Sequence, residues 1–483
     1  MMNKRAKSAL LSSFLFFLSL ATWSVSSPIG SGVDADFHLG SIWCAHGEID
    51  GVCESIDTTD WPTANVTATV PFMFQMCDER NIYFWPKCEL SENNPVTQEI
   101  RIAPQGKQSI YYWTTQFFAS PNVNQSVILI RLFNAIIASL VFFAMLALSS
   151  DRLRKAVLIS WTLTLIPNGI QLLTGVNPRS WAVLGIMSSW VFLQAFLTED
   201  GLNRRKRLWQ MACFIGSIAL TASARFDALL FVLFTCTVVL GAHFIDFNKL
   251  SFKRAVQLVG IFIATLFAIK LVPRLNDIFS FGVPEPFNST QYFVFQLEHI
   301  LEFVADWWGY QIGQQGNGPG IIGLSGTILF AIYMYAALRG SNRKQLFVTI
   351  AVSLFICLAL FRATTAVLSI IPLSGIYTFG LSAPLIGLTL MFSQGDDKQI
   401  FEKGLAVTTI VVVSIMHALA FYHWMEFFTQ RGENIGFFYK FSLNGSWWWD
   451  TWFSPNFVYL FGALMFPVFL SYAWKSIALK TPE

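Results

Sequence analysis

The feature that most constrains this chain is a succession of apolar runs, each close to the length that crosses a bilayer. About 20 apolar residues span the hydrocarbon core as a helix. No water is available there, so backbone N–H and C=O groups must be satisfied within the helix itself. Twelve runs qualify, at about 9–25, 127–148, 156–174, 181–197, 208–224, 228–245, 255–273, 320–337, 345–361, 379–394, 405–422 and 456–474. The least regular stretch is 362–394, where Pro372 and Gly375 interrupt the apolar run. The charged fraction is only 13%, with 54% hydrophobic residues. A soluble domain carries nearly twice that charge. Disordered chains, collagen-like fibres, disulfide miniproteins and ordinary cytosolic enzymes are thereby excluded. A net charge of +3 with no basic stripe argues against a nucleic-acid partner.

Basic residues orient the spans, because cytoplasmic loops are enriched in Lys and Arg. With the N-terminus inside, twenty of the 32 basic residues fall in inner segments, and every inner loop holds at least two. Short outer turns hold one at most, such as Arg179 or Arg225. The expectation is an all-α, multi-pass plasma-membrane protein of about twelve transmembrane helices, with both termini cytoplasmic. Residues 1–25 would form the first span, 127–273 spans 2–7, 320–422 spans 8–11, and 456–483 the last span and tail. Lys4–Lys7 and Ser24–Ser27 also fit the n-region and cleavage site of a signal peptide, although Pro28 disfavours cleavage.

Three long segments lie outside: 26–126, 274–319 and 423–455. The first has twelve acidic residues against four basic ones, and four of the seven cysteines. Four cysteines confined to an extracytoplasmic segment point to two disulfides in a small domain between spans 1 and 2. Three pairings are open; the sequential one, Cys44–Cys53 and Cys77–Cys88, is preferred. Free thiols or a metal site are the alternatives, and no His-rich spacing supports zinc.

The span interiors hold almost no charge, with Arg131 and Lys270 near outer ends and His417 the main internal ionisable group. Ion-coupled transporters keep acids or bases near the midplane, so this pattern disfavours a transporter. Polar chemistry gathers at the outer rim instead. Asp34, Asp36 and His38 follow span 1 closely, and a carboxylate just off a rigid span can accept a proton from a hydroxyl. A solvated acidic turn is the plainer reading. Arg225 and Asp227 are the only charges between Leu208 and Ile245. Such an Arg either clamps a lipid phosphate or snorkels to the interface. Arg362 has the same choice, and Arg274 is a weaker candidate. Asn177–Trp181 reads as a turn. Residues 293–308 place Phe293, Leu297, Ile300, Leu301, Val304 and Trp308 at helical spacing, an amphipathic helix that would roof a lipid groove or simply pack. Trp447, Trp448 and Trp449, with Arg431 upstream, are either interfacial anchors or a platform for sugar faces. The acidic pair would also accept a divalent cation, though no metal-ligand motif is present.

Taken together, PIGSGVDADFHLGSIWCAHGEIDGVCE from Pro28, NPRSW from Asn177, RFDALLF from Arg225 and NGSWWWDTWFSPN from Asn444 resemble one family. It is the actinobacterial family of predicted polytopic membrane proteins catalogued as a domain of unknown function, which looks like a member of the GT-C superfamily of integral-membrane glycosyltransferases. The family's Asp-Glu-x-x-His motif is met by Asp34 and His38, with Ala35 in place of the Glu and Asp36 beside it. The Arg that often precedes a late Pro is replaced here by Gly380-Leu381 before Pro384, and Asp450 stands where Pro often ends the tryptophan motif. The resemblance implies a polyprenyl-phosphate-linked sugar as donor, a cell-envelope glycan as acceptor, a carboxylate in the first outer loop, and basic residues holding the lipid phosphate. The expected roles are Asp34, Asp36 and His38 at the reacting centre, Arg225, Arg362 and Arg274 on the phosphate, and Arg431, Trp447, Trp448 and Trp449 on the acceptor. The rivals are a lipid-linked-glycan flippase or exporter, and a non-catalytic subunit of a cell-envelope polysaccharide assembly complex.

Overall fold

The computed structural model describes residues 4–32, 35–50, 52–54, 56, 63–68, 96–103, 109–120, 122–198, 204–225, 228–246, 294, 304–309, 311–312, 316–317, 319–366, 378–393, 403–429, 447, 449 and 452–477. The helices are α1 (Lys4–Val25), α2 (Ala35–Trp43), α3 (Ile110–Thr115), α4 (Val123–Leu148), α5 (Asp151–Thr164), α6 (Ile170–Thr174), α7 (Arg179–Thr198), α8 (Arg204–Ala224), α9 (Leu229–Phe244), α10 (Gly320–Leu338), α11 (Arg343–Ala366), α12 (Ser382–Met391), α13 (Lys403–Thr429) and α14 (Pro455–Ile477).

Among the described residues, seven helical stretches are long and apolar enough to cross a membrane: Arg5–Val25, Val123–Leu148, Asp151–Thr174, Arg179–Thr198, Gly320–Leu338, Lys403–Thr429 and Pro455–Ile477. Leu229–Phe244 and Phe379–Met391 are shorter apolar helices. Helices α8 and α11 cover the expected spans 208–224 and 345–361, while 255–273 lies outside the described residues. Helix α13 runs to Thr429, so the expected boundary at 422 falls inside it and Glu426 is buried within the helix rather than in an outer loop.

The stretch α5–α6 and helix α7 are buried nearly throughout and form the centre of the bundle. Outer helices instead turn apolar stripes outward. Leu324, Ile328 and Ile332 on α10, and Val407, Val411 and Ile415 on α13, are exposed at i, i+4 spacing. A continuous exposed stripe of that kind suits lipid as its solvent. Helix α1 packs against α4 and α14. Its Phe16 lies 5.2 Å from the Phe142 ring and 5.1 Å from Phe469, so this first helix is part of the bundle core. The expected continuous span 156–174 is broken at Leu165–Gly169, where Ile166 leaves helical φ/ψ and the Ile166–Pro167 bond is cis. Pro167 has no N–H to give the helix ladder.

The segment between α1 and α4 is not all helical. Strands β1 (Cys53–Glu54), β2 (Thr63–Ala68) and β3 (Val96–Arg101) form an antiparallel sheet in which Val66 faces Cys53 and Gln98. Thr63, Val66, Thr67, Val96, Thr97 and Ile100 supply the β-branched residues that favour a pleated surface. The all-α expectation is corrected to this extent. Cys44 and Cys53 form a disulfide, Cα–Cα 5.7 Å, which ties the end of α2 to β1. Cys77 and Cys88 lie outside the described residues. Ala103 N donates to Ser41 Oγ at 2.9 Å, fastening the chain after β3 onto α2.

The described end of the expected 293–308 helix turns inward. Trp307 and Trp308 are fully buried. Trp308 Nε1 donates to the Leu163 carbonyl at 2.6 Å, Trp307 Nε1 to Thr378 Oγ1 at 3.2 Å, and Asn168 Nδ2 to the Asp306 carbonyl at 2.7 Å. A Cβ on Gly326 would collide with the Trp308 indole, so α10 can receive it only with glycine there. The described residues Asp306–Trp308 plug the kink between α5 and α6. A short hairpin of β4 (Gln311–Ile312) and β5 (Gly316–Asn317) follows it.

Candidate functional site

The site is built on the C-terminal end of α1. The last carbonyls of a helix have no partners within it and carry partial negative charge. Here they meet a buried cation. Arg131, a little over two turns into α4, donates from Nη1 to the carbonyls of Ser24 (3.2 Å) and Ser27 (2.6 Å), and from Nη2 to the Pro28 carbonyl (2.8 Å) and Ser31 Oγ (3.3 Å). Trp449 Nε1 donates to the Val25 carbonyl at 2.7 Å. Gly30, at φ 76°, supplies the left-handed residue with which the chain turns from α1 toward α2.

Helix α2 begins at Ala35 and carries Asp36 in its first turn. The Asp36 side chain and all of Asp34 lie outside the described residues. His38, one turn on, is buried, and its Nδ1 is 2.8 Å from Tyr112 Oη. Burial, then the positive charges of Arg179 and Arg225, lower its pKa from 6.5 to about 3. The ring is therefore neutral at physiological pH. As a base of that strength it is a poor proton acceptor.

The two arginines that act on His38 come from neighbouring helix ends. Arg179 opens α7 and Arg225 directly follows α8. Helices α7 and α8 are antiparallel neighbours in close contact. Gly185 lies against Thr221 and Ser217, and Ser188 Oγ is 2.8 Å from Ser217 Oγ. Small residues let two helices approach this closely in a membrane. The turn Asn177–Trp181 is fixed from both sides: Arg179 N donates to Asn177 Oδ1 at 2.9 Å, and Trp181 Nε1 to Asn134 Oδ1 at 3.0 Å. Asn134 Nδ2 then donates to the Gly175 carbonyl at 2.8 Å and to Tyr111 Oη at 3.2 Å. Burial raises the Tyr111 pKa further, so its hydroxyl stays protonated.

Between α1, α2, α4, α6 and α13 lies a cavity of about 40 Å³. That is room for a few water-sized groups. Its lining includes Gly30, Gly32, Ala35, Gln171, Trp23 and Arg131.

The structure thus brings together His38, Arg225 and the α2 turn bearing Asp36, which the sequence had offered as separate clusters. Arg362 lies on α11 with its side chain outside the described residues, as do Arg274, Arg431 and Trp448 entirely. Trp447 is half-buried. Trp449 is buried with its N–H committed to α1, so it serves as a cap and offers no open face for an acceptor sugar. His417 is a core residue: it accepts from Trp23 Nε1 at 2.9 Å and stacks on Phe466 at 4.2 Å. Tyr112, Asn134, Gln171 and Thr174 carried no sequence signal. Arg131 did, as a lone cation inside an apolar run.

The family model described as Predicted membrane protein (DUF2142) matches residues 16–312. The chain belongs to that family. The match begins within α1 and ends at β4, so it contains Arg131, α2, Tyr112, Arg179 and Arg225, and leaves out Trp424 and Trp449. The family is one of membrane proteins of unknown function, and membership therefore establishes the bilayer as this chain's environment without assigning chemistry. No curated protein and no solved structure matches the chain.

Proposed function

We propose that this protein is a GT-C-type glycosyltransferase of the plasma membrane, moving a sugar from a polyprenyl-phosphate donor to a cell-envelope glycan on the extracytoplasmic face. In this reading it has about twelve spans with both termini cytoplasmic. The observation that carries the proposal is the convergence, at one end of the bundle, of the Asp-bearing start of α2 with Arg179 and Arg225, whose charges both reach His38. An acidic group beside cationic ones is what transfer from a phosphate requires. The carboxylate of Asp34 or Asp36 takes the proton of the acceptor hydroxyl as its oxygen attacks the anomeric carbon. The bond from that carbon to the phosphate oxygen breaks, the configuration inverts, and polyprenyl phosphate leaves with the electron pair. Arg225, with Arg179 beside it, stabilises the negative charge that develops on the leaving phosphate. His38 acts as a neutral positioning group between Tyr112 and this centre. A divalent cation bound by the acidic pair would be compatible with the same chemistry.

The test is mass spectrometry of envelope glycans and lipid-linked sugars in wild type, a deletion strain, and strains carrying Asp34→Asn and Asp36→Asn in correctly inserted protein. The expected result is loss of one sugar in the deletion and in the double variant, with its lipid-linked donor accumulating. Full transfer by the double variant would overturn the role given to the carboxylates, and an unchanged glycan and lipid-linked-sugar profile in the deletion strain would overturn the transferase proposal.

A further inference from the structure

We propose that α3, with the tight turn Gln116–Phe118 that extends it, is an in-plane membrane seat whose outward face is covered by the lipid of the adjoining bilayer leaflet. That face consists of Ile110, Trp113 and Phe117, which are 62%, 51% and 86% exposed. Their i, i+3, i+7 spacing puts them on one side of the helix. The opposite side is fixed to the protein. Tyr111, Tyr112 and Thr115 are buried, and Gln116 Nε2 donates to the Trp43 carbonyl at 3.0 Å. Contiguous exposed apolar residues of this kind mark a surface that meets a partner or a membrane. The sequence around them suits lipid as that cover. No charged residue stands between Lys107 and Arg131, although twelve acidic and four basic residues lie between 26 and 107.

The depth of this face follows from α4. Water lies at the far end of that helix, where the exposed Arg5 and Asp151 pair at 2.8 Å just beyond Leu148. About 20 residues of helix cross the hydrocarbon, and that length counted back from Leu148 reaches Ile128 and Leu129. The α3 unit touches α4 inside this limit. At its start, Tyr111 Oη accepts from Asn134 Nδ2 at 3.2 Å; at its end, the Phe118 ring lies 5.0 Å from that of Phe133. Two ends that meet adjacent positions of one spanning helix lie across it, and so along the membrane plane. At the same level α4 turns Leu129 and Ile136 outward, 40% and 43% exposed, in a lipid-facing stripe that continues to Leu140. The outward face of α3 is thus continuous with a surface that the bilayer already covers. Trp113 suits this level, because tryptophan gathers where hydrocarbon meets headgroups, and the exposed His46 ring 4.9 Å away gives it a polar neighbour. Tyr112 holds His38 from the same helix, so the seat sets the height of the candidate site relative to the leaflet. That this height serves a lipid-linked sugar rests on the proposed function; the seat itself does not.

The experiment is photo-crosslinking of the full-length protein in dioleoylphosphatidylcholine liposomes, with the photoreactive p-benzoylphenylalanine replacing Trp113, Phe117, Leu140 or Asp50 one at a time. Leu140 is the lipid-facing reference on α4, and Asp50 is an exposed charged residue in the turn after α2. Trp113 and Phe117 are exposed aromatic residues, so an aromatic replacement leaves the buried side of α3 intact. After irradiation, adducts are located by mass spectrometry of the digested protein. Lipid adducts at positions 113 and 117 should match the yield at 140 and exceed that at 50 several-fold. Background yield at both positions, with position 140 still labelled, would overturn the proposal and leave a wet face open to a glycan. Crosslinks from both positions to a second copy of the chain in place of lipid would also overturn it and make the face a dimer interface. Sugar transfer is not read in this experiment, so the seat and the proposed function stand or fall separately.

Discussion

Replacing Gly185 by alanine tests the packing that brings Arg179 and Arg225 to one place. An ideal Cβ there falls well inside van der Waals contact of Thr221 Oγ1 and of the Ser217 carbonyl oxygen, and 3.2 Å from the Thr221 amide nitrogen. The hydroxyl can rotate away, but the carbonyl and amide belong to the α8 backbone. Helices α7 and α8 must therefore part locally. A gap of about 0.5–1 Å already forfeits a quarter to a half of the dispersion energy across a contact. In a bilayer, that packing is most of what holds two helices together, because lipid tails are as apolar as the helix surfaces. The same separation stretches the Ser188–Ser217 hydroxyl bond from 2.8 Å. Overpacking of this kind costs about 1–3 kcal/mol. The assay is thermal unfolding of purified protein in detergent, comparing wild type, Gly185→Ala, Thr221→Ala and the double variant. Gly185→Ala should unfold at lower temperature, and Thr221→Ala should restore only part of the loss, since the Ser217 carbonyl remains. Wild-type stability for Gly185→Ala, or complete rescue by Thr221→Ala, would refute the argument that backbone contact sets the spacing.

Other outcomes follow from the same geometry. His38 binds a proton only near pH 3 in the folded protein but near 6.5 when unfolded, so the unfolded state takes up more protons below pH 6.5 and stability falls as pH drops from there toward 3. A His38→Gln variant should show a flatter dependence of melting temperature on pH between 7 and 4. The Cys44→Ser and Cys53→Ser double variant should lose about 2–3 kcal/mol, the chain-entropy value for so short a loop, read by denaturant unfolding of oxidised and reduced protein. Trp308→Ala empties a fully buried site and orphans the Leu163 carbonyl; a loss of about 3–5 kcal/mol is expected for an indole of this kind, measured by thermal unfolding.

The membrane class was legible because bilayer thickness imposes a length on every apolar run, and α1, α4, α7, α10, α13 and α14 fall where those runs lie. The strands were not, because β2 and β3 are separated by 27 residues and their pairing is a long-range fact. The kink at Leu165–Gly169 was hidden for a related reason: Pro167 marks a weak point, but residues arriving from far along the chain, Trp307, Trp308 and Phe379, pack against it. Aromatic residues misled in the same way. Trp449 looks like an anchor or a sugar platform until the end of α1 is seen to need a donor that its indole supplies.

The charges at the site show why a list of residues was insufficient. Arg131, Arg179 and Arg225 each sit at the end of an apolar run, where a snorkelling arginine is the ordinary expectation. What separates them is depth and partner. Arg131 is buried against carbonyls, while Arg179 and Arg225 are half-buried and project their charge onto one buried imidazole. Three cations near one bundle end repel one another, and carbonyl dipoles offset part of the charge on Arg131. The chain places its acidic run, beginning at Asp34, directly after the helix that Arg131 caps. An end of the bundle that is positive and followed by acids is what the proposed transfer from a phosphate donor calls for. A purely structural cap on α1 would need Arg131 alone, without the pair Arg179 and Arg225.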